Sequence, residues 1–346
     1  MSLGDGASVA GRLWRQRGPR AALLGLALLA GVAGVADCLA SDLPLLVRHQ
    51  GVLHVLPNLT RPAALRRHDN HSLRRTRAPG DWAVEPPIPY GPAQTQPDGA
   101  LLPSARPSGG HWLGTDEVGR DVAAQLVHGC RVALLVGAVA VLLGGLAGLL
   151  LGLLAGFLRG WVDTLITWAA GAVLTFPAFL LVLAVQGLVG AQSVTGIVLI
   201  LAATGWAGIA RLVRAEVLRL AAEPFIEAAR GLGGSTPRLL AVHVLPHVAG
   251  PVLVAATFAA GAAILTESAL SFLGLGPDAP SWGRLLAQAQ LQRSAWWLTV
   301  FPGLAIFGTV LASNHVAEGL QSALDPRAPL PPGRGPRPAA PSAVEE

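Results

Sequence analysis

The sequence predicts an all-α polytopic membrane protein with six transmembrane helices and a long extracytoplasmic loop after the first span. Three observations carry this. Of 346 residues, 52% are hydrophobic and only 13% are charged, whereas about a quarter of a soluble domain is charged. Several uncharged runs reach or exceed the roughly 20 residues that a helix needs to cross a bilayer core. Outside one long connection, the arginines gather at segments that share one side of the membrane if both termini do, the pattern expected of cytoplasmic ends.

The elements follow in order. Residues 1–20 are basic, with Arg12, Arg15, Arg17 and Arg20, and form a cytoplasmic N-terminus. A first span covers 21–40, where the uncharged run from Ala21 to Ala36 is extended by Cys38-Leu39-Ala40. A cleaved signal peptide is the rival reading, and a retained span gives six crossings. Residues 41–130 form the extracytoplasmic loop, in which Trp82 and Pro86-Pro87-Ile88-Pro89-Tyr90 predict local order and Arg66 to Arg77 a solvated surface. Asn58-Leu59-Thr60 and Asn70-His71-Ser72 match the N-glycosylation pattern, a short motif that arises by chance.

Residues 131–322 hold five more spans. One runs from Val132 to Leu158. Thr164 to Ala210 is uncharged throughout and long enough for two, divided by a turn at Gly187 to Thr195. A fifth runs from Val248 to Gly274 with Glu267 inside it. The sixth starts at the interfacial pair Trp296-Trp297 and ends near Ala317. Pro177 predicts a kink in the third span. Gly144, Gly145, Gly148 and Gly152 predict close helix packing in the second. Residues 323–346 are Pro- and Gly-rich and read as a disordered cytoplasmic tail.

The longest amphipathic polar stretch in the second half of the chain is Glu223 to His247, within a cytoplasmic loop spanning 213–247. Pro224 suits the first turn of a short helix. Phe225, Ala228, Ala229 and Leu232 share one of its faces, beside Glu227 and Arg230. Gly231, Gly233 and Gly234 form a joint, Thr236-Pro237 opens a second short helix, and Pro246 closes it. Two short helices on a loop between spans make a handle for a partner.

The spacing Glu227-Ala228-Ala229, Gly233, Leu245-Pro246 resembles the EAA signature of permeases in binding-protein-dependent ABC importers. His111-Trp112-Leu113-Gly114-Thr115-Asp116-Glu117-Val118-Gly119-Arg120-Asp121 is similar to a segment of the peptide/nickel branch of that family. Gly205-Trp206, Ala210 to Glu216, Ser271 to Gly276, Pro280 to Gly283, Phe301-Pro302-Gly303 and Leu324 to Arg327 match in order. The resemblance is to the C-component of dipeptide, oligopeptide and nickel importers. It implies the type I importer permease fold, in the inner membrane of a bacterium with both termini cytoplasmic. The implied partners are a second homologous permease, two ATP-binding ABC subunits, an extracytoplasmic solute-binding protein and membrane lipid. No cofactor is expected on this chain, with Mg-ATP held by the ATPase subunits, since no G-x-x-x-x-G-K-[ST] loop occurs here. The loop residues Glu227, Ala228, Ala229, Gly233, Leu245 and Pro246 would then couple ATP hydrolysis to solute movement by alternating access. The first loop is longer than in the dipeptide type, His243 stands where many EAA permeases are apolar, and Gly231 replaces a better helix former.

Two further groups stand out. Glu267, with Ser268 and Ser271 near its face, is a carboxylate within a span, either lining a translocation path or making an interhelical hydrogen bond. Gln186, Asn314, His315 and Glu318 carry weaker versions of the same question. Asp116, Arg120 and Asp121, with Glu117 beside them, form an external charge network that either packs an outer segment on the bundle or meets the solute-binding protein. No His or Cys spacing there supports a metal. Cys38 and Cys130 read as isolated small apolar residues. The net charge of +5 comes with no basic, aromatic-interleaved groove, which excludes a nucleic-acid partner. An intramembrane enzyme is the alternative from another class, but H-E-x-x-H is absent and Ser271 and His315 fall near opposite ends of their spans. A secondary transporter would want several buried carboxylates, and Glu267 is the one fair candidate. Within the resemblance, nickel is the alternative to peptide.

Overall fold

The computed structural model describes residues 9–66, 68–76, 78–95, 104–233, 235 and 238–324. Short helix α1 (Val9–Arg15) leads into α2 (Arg17–Gly34). Both lie against the final helix, α14 (Trp297–Leu324), where Gly319 admits them: a Cβ there would sit 2.4 Å from Cγ of Pro19. The chain steps at Val35 into α3 (Ala36–Leu39), and Arg131 clamps the step through the carbonyl of Ala33 at 2.6 Å and the Asp37 carboxylate at 2.8 Å.

The long connection is not wholly irregular, and this corrects an all-α reading. Strands β1 (Leu46–His49), β2 (Val52–Val55) and β3 (Trp82–Val84) form an antiparallel sheet in the order β2-β1-β3, with Val47 opposite His54 and Ala83. Short helix α4 (Pro57–Thr60) follows β2. The stretch expected to be a solvated surface contains α5 (Asn70–Arg75), because Asp69 and Ser72 cap it reciprocally. Leu73 of α5 joins Leu43, Val47 and Leu65 in a small core of its own. Arginine density hid this core, since one buried leucine per turn suffices to dock so short a helix. Asn58 and Asn70 are buried, their amides bound to the Asp37 carbonyl (2.7 Å) and to those of Ser41 and Pro89 (2.9 and 3.0 Å). Neither presents an acceptor nitrogen for glycosylation.

Helix α6 (Val122–Leu135) starts inside the segment read as loop and continues through a π-helical turn at Val136–Ala140 into α7 (Val141–Leu158). Its N-cap is Asp121, which accepts the Ala124 N–H at 2.7 Å. The expected glycine stripe packs α7 on α10 (Val194–Ala221). A Cβ at Gly148 or Gly152 would lie 2.5 Å from the carbonyl of Trp206 and 2.6 Å from that of Ala210, and Gly156 extends the row to Val217. Backbones approach that closely only where side chains are absent.

Helices α8 (Gly160–Thr175) and α9 (Ala178–Val189) meet at 91° across Phe176-Pro177. A proline was expected to kink a continuous span, and instead it starts a new helix. The predicted turn before α10 is present, with Gly190 at φ +62° and the Ser193 side chain accepting the Gly196 N–H at 3.0 Å.

Helix α11 (Pro224–Gly231) follows α10. A helical run from 238 then passes through a π-helical turn at Leu239–Val244 into α12 (Leu245–Phe272). Pro246 therefore does not close a second short helix. The Leu245 N–H reaches back to the Leu240 carbonyl, so the ladder changes register just where the proline lacks a donor, and the widened turn relieves its ring. Thr236, Pro237 and Gly234, and the tail from Asp325, lie outside the described residues. Helix α13 (Trp282–Leu291) and α14 complete the order.

Among the described residues, four helices are long and apolar enough to cross a membrane: Val122–Leu158, Val194–Ala221, Leu239–Phe272 and Trp297–Leu324. Counting α8 and α9 as one bent span makes five. Helix α2, the expected first span, is not among them, being 18 residues long with Arg17 and Arg20 in its first turn. One end of the bundle gathers the α-β loop, the turn at Gly190 and residues 274–296. The other gathers α1, the end of α7, α11 and the end of α14, where Leu324 lies against Gly250.

Candidate functional site

Helix α11 is held mainly by one side chain. Ile226 is buried with Val213, Val217 and Leu220 of α10 and Val244 and Val248 at the start of the next span. Phe225 stacks on His247 at 5.6 Å, and the Arg230 guanidinium lies 6.0 Å from the Phe157 ring centre. The stripe legible in the sequence faces outward: Phe225, Ala228 and Leu232 are exposed, Leu232 at 90%, and Glu227 is exposed beside them. Gly233 follows at φ +81° with nothing within 4 Å of a notional Cβ. That conformation is open to glycine and strained for other residues. Ala229 is half-buried, Leu245 half-buried and Pro246 exposed, and Val242 adds a further exposed apolar side chain. The result is a short helix pinned on its inner side with a bare apolar and acidic outer side. Sequence reasoning missed Ile226, which falls between the members of the apolar stripe.

At the opposite end, Asp116 is fully buried. Its Oδ1 accepts the backbone N–H groups of Val118 (3.0 Å) and Arg120 (2.8 Å). Its Oδ2 accepts from the Arg120 Nε (2.7 Å) and the amides of Gln125 (3.0 Å) and Gln288 (3.5 Å). One carboxylate thus ties the 104–121 loop to α6 and α13. Asp121 belongs to a second knot, in which its Oδ2 meets Nδ1 of buried His111 at 2.7 Å, while Tyr90 stacks on that imidazole at 4.4 Å. His111 was legible only as part of the motif, and Gln125 and Gln288 carried no signal: His111 and Gln125 lie ten and nine residues from their partners, off any helix or strand period, and Gln288 lies 172 away. Trp297 of the predicted interfacial pair is buried and donates to the Thr115 carbonyl at 3.0 Å.

Glu267 is also fully buried. Its Oε1 accepts the hydroxyls of Ser271 (2.7 Å) and Ser281 (2.8 Å), and Oε2 that of Ser268 at 3.4 Å. The structure brings these four together, fastening the C-terminal end of α12 to the start of α13. Ser281, fourteen residues on, had no signal in the periodicity. Ser271 borders a cavity of about 480 Å³ that also meets Gln186, Gln288 and Arg120. Ser268 and Asn314 border an apolar cleft of about 570 Å³ between α12 and α14. Gln186 donates to the carbonyls of Ala191 (2.6 Å) and Leu275 (2.8 Å), closing the turn after α9. His315 faces Glu318 at 3.2 Å on the surface near the other end of the bundle.

A family model described as "Binding-protein-dependent transport system inner membrane component" matches residues 148–328. The dipeptide transport system permease protein DppC of Escherichia coli (strain K12) is 43% identical over 245 residues, 69% of this chain and 81% of that protein. DppC of Alkalihalophilus pseudofirmus is 40% identical over 238 residues, covering 68% and 77%. The glutathione transport system permease protein GsiD of Shigella flexneri is 42% identical over 224 residues, covering 64% and 74%. The resemblance carried by the EAA spacing and its flanking motifs is thereby borne out, and the chain belongs to the family of inner-membrane components of binding-protein-dependent transport systems.

Proposed function

We propose that this chain is a permease subunit of an ATP-driven importer for peptides, working beside a second homologous permease, two ATPase subunits and an extracytoplasmic solute-binding protein. The observation that carries it is α11: an exposed apolar and acidic face, pinned to two spans chiefly through Ile226. A helix of that kind suits a groove on a partner protein. A push on α11 passes through Ile226 to Val217 of α10 and Val248 of α12, so both helices tilt together. Glu227 acts as polar anchor, Gly233 as the bend that aims the loop, and Leu245-Pro246 as the joint to α12. ATP and its Mg²⁺ bind the ATPase subunits, and this chain performs no bond chemistry. Positive charge at the α11 end supports a cytoplasmic position for that end and both termini, with α2 as a first span and the bent α8–α9 pair as the third of six. The relatives' names favour peptide over nickel.

On this reading the Asp116–Arg120 and Asp121–His111 knots brace the outer loop against the bundle. The Glu267 hydroxyl cluster holds α13 in place at the wall of the pathway. The test is uptake by the assembled transporter in liposomes. Peptide accumulates only when ATP and the binding protein are both supplied. Uptake driven by an ion gradient without ATP overturns the assignment.

A further inference from the structure

Arg211 is an exposed charged side chain of α10 with no use in the account so far. On α10 it follows Ala210, whose carbonyl abuts Gly152, six residues before α7 ends at Leu158. At 1.5 Å per residue, Arg211 lies about 9 Å inside the inner end of α7. Arg214, one turn on, is paired: its Nη2 donates to Asp163 Oδ2 at 2.8 Å, and Thr167 adds a bond to Oδ1 at 3.0 Å. Asp163 is thereby engaged by Arg214 and Thr167. Among the described residues Arg211 has neither an ion-pair nor a hydrogen-bond partner. A charge within a span costs several kcal/mol unless it faces a cavity or a partner, which makes it a functional position by default.

Arg211 does face a cavity. A cleft of about 460 Å³ is bounded by Arg211 and by Trp168, Gly171, Ala172, Leu174 and Thr175 of α8. Leu174 is shared with an apolar cavity of about 190 Å³ that lies behind the Phe176-Pro177 bend and reaches Val182. One turn further along α9, Gln186 borders the polar cavity of about 480 Å³. Two cavities thus meet at Leu174 of α8, an apolar one behind the bend and one that carries Arg211, and a third opens beyond Val182 at the far end of α9.

We infer that the Arg211 cleft is a solute subsite in which the Arg211 guanidinium receives the terminal carboxylate of a peptide in transit. A guanidinium binds a carboxylate through two parallel N–H···O bonds and keeps its charge whatever its surroundings. Gly171 and Ala172 leave room beside it. The exposed Trp168 ring offers apolar surface to a side chain, and the volume falls within the range of small-ligand sites. The inference rests on the peptide-importer reading above.

The assembled transporter, carrying Thr175→Cys with Cys38→Ala and Cys130→Ala, is placed nucleotide-free in nanodiscs. Reaction of the introduced thiol with a maleimide is followed with and without dialanine. At about ten times its dissociation constant, dialanine slows labelling about tenfold. Dialanine amide, which lacks the carboxylate, leaves the rate unchanged. R211Q abolishes the protection, whereas R211K keeps the preference for the free carboxylate at weaker affinity. Equal protection by the acid and the amide overturns the inference. So does a labelling rate that follows the anionic-lipid content of the disc and ignores dialanine, which would make Arg211 a headgroup contact. Uptake of dialanine by the same assembly separates the two levels. Uptake without protection removes this subsite alone, and absence of ATP-driven uptake removes the importer reading.

Discussion

At the residue scale, single carboxylates hold the outer part of the molecule together. Asp116 accepts five donors from three segments. Replacing it by alanine leaves the Arg120 guanidinium and two buried amides unmatched. Removing one partner of such a buried pair costs about 3–5 kcal/mol, so Asp116→Ala lowers the unfolding temperature of the purified protein substantially while Glu117→Ala, on the cavity rim, does not. Asp69 acts more mildly. Burial opposes its ionisation, but the N–H and hydroxyl of Ser72 and the Gln94 amide outweigh that and hold its carboxyl below the usual aspartate range. A depressed folded-state value means the stabilisation is complete above the unfolded value of about 4 and disappears as pH falls through the lower folded one. Asp69→Ala costs about 1 kcal/mol as a lost helix cap. The gap between variant and parent closes when denaturation is repeated in acid. The parts of these sites legible in sequence were the carboxylates themselves. Of their partners, Gln288 lies 172 residues from Asp116, whereas His111, Gln125 and Ser281 lie ten, nine and fourteen residues from theirs, at spacings that no helix or strand period marks.

At the element scale, the glycine row of α7 and the pin of α11 make separable predictions. Gly152→Leu drives a side chain into the Ala210 carbonyl and Val213, so α7 and α10 separate and the protein is lost to degradation in the membrane. Ile226→Ala removes the anchor of α11, and the cavity it leaves costs about 2–5 kcal/mol. The bundle stays folded, and proteolysis near Gly233 accelerates. The glycine row was readable because an i, i+4 repeat of small residues fixes one face. The outward stripe of α11 was readable for the same reason. The 91° break at Pro177 and the unbroken helix through Pro246 were not. A proline states which hydrogen bond is missing, whereas the neighbours decide whether the chain bends, starts afresh or slips through a π-turn.

At the scale of the whole molecule, the two ends of the bundle do different things. The end that carries the long connection is cross-linked by the Asp116, Asp121 and Glu267 knots and by a small sheet. The α11 end is loosely held, with α11 attached chiefly through Ile226 and its apolar side bare. That asymmetry suits a device pushed at the α11 end against a braced frame at the other. Composition and uncharged runs foretold the helical bundle, whereas the sheet was hidden by arginine-rich sequence around a four-residue core. The measurement that tests the account most directly is peptide uptake by the assembled transporter carrying Gly233→Asp. A side chain at φ +81° misdirects the coupling loop without touching the bundle. The account predicts a protein that inserts and assembles normally, hydrolyses ATP without stimulation by the loaded binding protein, and takes up no peptide. Uptake at the parent rate would contradict it.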